Sequence, residues 1–128
     1  MCMVEWDDGG RWETVDPPKM RTARKAYVCG ECGRNIPVGE QYEHAKHRDD
    51  YGLSTQRTCA HCAAVRSWLV VQCGGWLYGG VYEDLRQHWD EEWLLRSMYL
   101  GRAIVGMRCR WWRNAARMPV PPRYERAA

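Results

Sequence analysis

Apolar positions recur along this chain with two different periods, and the change between them divides it. Between Tyr27 and Thr58, short apolar or aromatic runs alternate with glycine, proline and polar turns. Tyr27-Val28 and the run from Ile36 to Glu43 read as short strands, with Asp49-Asp50-Tyr51-Gly52 as a hairpin tip. From Cys59 the period becomes helical. Val65, Trp68, Leu69 and Cys73 fall at i, i+3, i+4 and i+8, and Gly74-Gly75 supplies the stop. Val81, Leu85 and Trp89 predict a second helix over 81–89, with Glu83 and Asp84 at the positive end of its dipole. A break near Asp90 is expected, because one helix from 81 to 116 would be unusually long for a small domain.

Residues 93–116 predict a third helix. On its wheel Trp93, Leu94, Leu100, Ile104, Val105, Trp111 and Trp112 gather on one half. Arg96, Arg102, Arg110, Arg113 and Arg117 gather on the other. Gly101 and Gly106 weaken this helix, and Pro119, Pro121 and Pro122 end it. Trp68, Trp89, Trp93 and Trp112 lie on apolar faces and are expected in the core. Trp6, Trp12 and Trp76 have no such face and are candidates for contact with a partner.

The 128 residues suit one domain with an extension. The net charge of +3 conceals a separation. Residues 1–18 carry −4, Lys19 to Lys25 carry +4, and residues 93–128 hold eight arginines against Glu125 alone. No run of 18 apolar residues occurs, so no membrane span is predicted. The N-terminus is acidic, without the apolar centre of a secretory leader, which points to the cytoplasm. In that reducing compartment seven cysteines, an odd number, argue against a disulfide scaffold.

Four of the seven form two identical pairs, Cys29-x-x-Cys32 and Cys59-x-x-Cys62, separated by 26 residues. Two thiolates three positions apart in a tight turn can bind one ion from the same side, and a second pair completes a tetrahedron around zinc. Four cysteines leave no open coordination position, so the expected zinc is structural, not catalytic. His61 lies inside the second pair, where a fourth thiolate already stands. His44, His47 and His88 are expected at the surface or hydrogen-bonded. Cys73 and Cys109 read as small hydrophobes, and Cys2 lies near a free end.

The Cys29-Gly30-Glu31-Cys32-Gly33 knuckle, the glycine-containing hairpin from Ile36 to Tyr42 and a Cys-x-x-Cys opening a helix together resemble a treble-clef zinc finger. The stretch from Tyr27 to Leu69 is also similar to small zinc-finger proteins encoded by bacteriophages and prophages. The resemblance covers about a third of the chain and implies a zinc site at Cys29, Cys32, Cys59 and Cys62. The expected fold is α+β, a small treble-clef-like finger followed by a helical half. Its parts are an arm over 1–26, a zinc-finger module over 27–73, a helical extension packed on it over 74–118, and a tail over 119–128.

Some treble clefs belong to HNH-type nucleases, which need a base near the hairpin and a further His or Asn on the helix. His44 and His47 satisfy the first requirement, but Ala63 to Leu69 contains neither His nor Asn. The expectation is therefore a non-enzymatic protein that binds. The favoured partner is a host protein or protein complex, modulated in host takeover or in inhibition of a defence system, inside a bacterial cell. The alternative is DNA or RNA held by the arginine face, since arginine pairs bidentately with phosphate. A homodimer through the apolar arc of the last helix is a third arrangement.

Overall fold

The computed structural model describes Cys2, residues 12–109, residues 112–113 and 116–117, and residues 120–125. Its larger sheet has the order β1-β4-β5 and is antiparallel throughout. The strands are β1 (Trp12–Thr22), β4 (Gln41–Asp49) and β5 (Gly52–Cys59). A two-residue pair, β2 (Tyr27–Val28) with β3 (Asn35–Ile36), stands between β1 and β4 in the chain.

Strand β1 carries Pro17-Pro18, which no central strand could accommodate because proline donates no hydrogen bond. The strand lies at the sheet's edge, and its register slips between Thr14 and Asp16 and again between Asp16 and Lys19. Part of the expected N-terminal arm is thus a paired strand folded onto its own domain. The β4–β5 hairpin turns where expected, at Asp50-Tyr51. Gly52 there takes φ 112°, and Asp49 Oδ1 accepts a bond from the Tyr51 amide at 2.8 Å.

Three helices follow. Helix α1 (Ala60–Cys73) buries Val65, Trp68 and Leu69 of the stripe its period predicts, together with Cys62, and leaves Cys73 half-buried. Gly74 ends it at φ 77°, its amide donating to the Val70 carbonyl. Helix α2 (Val81–Glu91) turns Val81, Asp84, Leu85 and His88 inward. Helix α3 (Met98–Arg108) buries Leu100, Ala103, Ile104 and Met107, and its Ser97 cap accepts a bond from the Leu100 amide at 3.1 Å. All three helices feed one core with Ile36 and Tyr42 of the strands.

The expected helix over 93–116 is corrected. Residues 93–95 form a single 3-10 turn, Ser97 caps a new helix, and that helix ends at Arg108. Beyond it, β6 (Trp112–Arg113) pairs antiparallel with β7 (Ala116–Arg117). The wheel overlooked Ser97 as a cap, whose hydroxyl serves an orphan amide better than a continued helix could. The same change moves Trp93 out of the core. It lies on the 3-10 turn, 70% exposed. No helix among the described residues is long and apolar enough to cross a membrane.

Candidate metal centre

Cys29 follows β2, and Cys32 stands in the turn that returns to β3. The turn closes with the Cys29 amide donating to the Arg34 carbonyl and the Gly33 amide to the Cys29 carbonyl, at 2.9 and 3.0 Å. Gly33 supplies the left-handed residue, φ 75°. The second pair comes from the strand-to-helix junction. Cys59 is the last residue of β5 and the cap of α1, and Cys62 lies in the helix's first turn. A bond from the Gly30 amide to the Arg57 carbonyl, 2.9 Å, fastens the knuckle to β5 and brings the two pairs face to face.

The four sulfurs lie within 4.8 Å of one another. Sulfurs about 2.3 Å from a central zinc form a tetrahedron with edges of about 3.8 Å. The Cys32 and Cys59 sulfurs are 3.8 Å apart. Backbone amides are aimed at the cluster as thiolates require: Glu31 and Cys59 donate to the Cys29 sulfur at 3.4 and 3.3 Å. Cys29, Cys59 and Cys62 are buried and Cys32 is half-buried. The cluster is compatible with a zinc-binding site.

The thiols cannot all ionise without a cation. Hydrogen bonds from Cys32, Cys59 and Cys62 hold the Cys29 thiol far below its ordinary value. The same contacts push Cys32 up through Cys29 and Cys59, and all three partners raise Cys62. A divalent ion removes that conflict by accepting all four lone pairs. Arg34 adds positive charge beside Cys59. Burial opposes that charge, but the Cys59 sulfur and the Glu40 carboxylate outweigh it and raise the guanidinium's pKa.

A buried polar cluster joins this centre to the rest of the fold. Arg66, on the inward face of α1, reaches the carboxylates of Glu43 and Glu31 and donates to Thr58 Oγ1 at 2.7 Å. Its guanidinium stacks on Trp76 and Tyr78, 4.6 and 5.0 Å from the ring centroids. Glu31, inside the knuckle, also accepts from the amides of Gly79 and Val81 at the start of α2. Nothing in the local pattern marked Arg66 or Glu31. The only trace was a charged residue between Val65 and Trp68 on an apolar face.

The other candidates are scattered. Trp76 is a half-buried partner of Arg66 rather than a free contact residue. Trp12 is half-exposed on β1 and stacks on His47 at 3.8 Å, over a cleft of about 420 Å³ that Tyr78 and Trp76 also line. Trp6 and Arg110 lie outside the described residues. Arg96 folds back, donating to the Trp89 carbonyl at 2.6 Å and covering its ring. Arg102 is exposed on α3, while Arg113 and Arg117 fall on β6 and β7, so no single helix face unites these arginines. His61 is buried, its Nε2 3.4 Å from the Ala103 carbonyl, turned toward α3 and outside the sulfur cluster.

The three remaining cysteines correct the earlier reading. Cys109 is exposed, because it caps α3 instead of continuing its apolar face. Cys73 is not an isolated small hydrophobe: it meets Cys2, from near the start of the chain, as a disulfide with Cα atoms 5.6 Å apart. No protein-family model, curated protein or solved structure matches the chain, and the site stands on its own geometry.

Proposed function

We propose that this protein is a zinc-stabilised, non-enzymatic binding module whose partner is a host protein or protein complex. Cys29, Cys32, Cys59 and Cys62 hold the ion, in the manner of a treble clef. The metal supplies folding energy, not chemistry, because four protein ligands leave no coordination position for substrate or water.

The observation that carries the reading is an apolar strip at the α2–α3 corner. Trp93, Leu94 and Met98 are 70, 78 and 71% exposed within six residues of chain. Single exposed hydrophobes are ordinary, but three large ones together, one of them tryptophan, mark a contact surface. Met98 also lines a cleft of about 680 Å³ together with Val105 and Val120.

The test is affinity capture from a bacterial lysate by the native chain and by a variant with Trp93→Asp, Leu94→Asp and Met98→Asp. A protein held by the native chain and released by the variant supports the reading. Equal capture by both contradicts it. Retention of DNA or RNA that falls steeply with salt and is lost in Arg102→Glu favours the nucleic-acid alternative instead. Self-association abolished by the same three substitutions identifies a homodimer.

A further inference from the structure

A second group of metal-ligating side chains gathers at the opposite end of α1. Cys73 is the last residue of that helix, and Cys2 reaches it across 71 positions of sequence. His88, on α2, directs Nε2 at both sulfurs, 3.7 Å from Cys2 and 3.6 Å from Cys73. The three donor atoms lie within 4.8 Å of one another. One turn further along, Glu92 places Oε1 3.9 Å from the same Nε2.

The imidazole is oriented from behind. Its Nδ1 lies 2.8 Å from the Asp84 carbonyl oxygen and 3.2 Å from Asp84 Oδ1. Both are acceptors, so Nδ1 carries the hydrogen and donates it, and in the neutral ring Nε2 presents its lone pair. A histidine whose far nitrogen is held by a backbone carbonyl in this way has the outer-shell support that metal-binding histidines use. His88 and Asp84 are both almost fully buried, and the Trp68 ring closes the apolar side with an edge contact at 5.1 Å.

What faces Nε2 is two sulfurs and a carboxylate, all of them electron-pair donors. With the sulfurs bonded to each other neither carries a hydrogen, and both lie with Nε2 inside one 4.8 Å group of donor atoms. Around zinc, a nitrogen about 2.1 Å and a sulfur about 2.3 Å from the ion stand about 3.6 Å apart. The two nitrogen–sulfur separations already have that length, and the two sulfurs, bonded to each other here, part to about 3.8 Å on reduction and binding.

We propose that Cys2, Cys73 and His88, with Glu92 near enough to turn in as the fourth ligand, form a second metal site, which takes zinc when the two cysteines are reduced. A phosphine reductant opens the bond: phosphorus attacks one sulfur, water supplies the oxygen of the phosphine oxide, and two thiols result. Zinc then binds both sulfurs as thiolates and releases two protons. The ion ties the start of the chain to the corner between α1 and α2. This site shares no ligand with the four-cysteine centre. Cys62 and Cys73 are separated by eleven residues, about 16 Å along the helix axis.

Cobalt(II) titration of the full chain, reduced by a phosphine, reads both sites without any substitution. The expected result is binding of about two equivalents, one with a four-thiolate charge-transfer absorption and one with about half that intensity. Cys2→Ser lowers the bound zinc from about two to about one per chain and leaves the four-thiolate spectrum in place. A single equivalent with the four-thiolate spectrum alone, in the reduced native chain, overturns the proposal. So do two equivalents that persist in Cys2→Ser. If the four-cysteine reading alone were wrong, only the two-thiolate absorption would appear.

Discussion

Gly106 of α3 packs against the imidazole of His61 on α1 so closely that a β carbon at residue 106 would lie 2.3 Å from His61 Cε1 and 2.6 Å from Nε2. His61 is buried, so a methyl group at residue 106 forces its ring out of this contact. The glycine read from sequence as a weak point in a helix is the point at which two helices touch.

Gly106→Ala therefore sets two effects against each other. Alanine favours the helix by about 1 kcal/mol, whereas overfilling the contact costs about 1–3 kcal/mol. The clash wins, and urea unfolding should show a net loss of stability. Gly106→Ala combined with His61→Ser should recover most of that loss, since the second change removes the ring that the methyl group meets.

Arg66 is the most consequential side chain outside the cysteines. Replacing it by methionine leaves Glu31 and Glu43 without their cation, and removing one partner of a buried ion pair costs about 3–5 kcal/mol. Arg66→Lys should also destabilise. A lysine ammonium keeps the charge but cannot reach both carboxylates and Thr58 while stacking on Trp76 and Tyr78. Chemical denaturation of both variants at constant zinc checks the order, native above Lys above Met.

Acid should weaken the fold through its buried histidines. Burial lowers the pKa of His44, with Arg21 and Arg57 adding to the effect, and burial also lowers that of His61. A lowered folded-state pKa means the unfolded chain takes up the proton first. The stability these rings allow is complete above the ordinary histidine value of about 6.5 and is lost as pH falls through it. Melting temperature at fixed zinc should decline between about pH 7 and about pH 5. In His44→Gln the decline should be shallower.

Cys109 is the exposed thiol at the end of α3. Cys109→Ser should change stability by no more than about 0.5 kcal/mol. In the metal-loaded protein a maleimide should label Cys109 first, and mass spectrometry of the labelled peptide checks it.

Much of the four-cysteine centre was legible because its information is local. Each pair is set by a three-residue spacing, and the glycine after Cys32 and the helix after Cys59 are written beside the ligands. Helices α1 and α2 were legible for the same reason, from one apolar stripe and one stop each. The third helix was not, because its wheel counted Leu94 and Trp93 as core and passed over Ser97. Long-range pairings left no local mark. Arg66 finds its carboxylates in two other elements, Cys2 meets Cys73 across most of the chain, and β1 pairs with β4 despite its two prolines. Such contacts depend on where the sheet and helices bring distant segments together, and single-sequence periodicity does not contain that.

The fold should depend on a zinc ion held by Cys29, Cys32, Cys59 and Cys62. Following zinc release and far-ultraviolet circular dichroism together, during titration of the native chain with a strong chelator, tests it most directly. Bound zinc should be present at the outset, and helical signal should be lost in step with its removal. A chain isolated without zinc, or one whose spectrum is unchanged after the last zinc has gone, would contradict it.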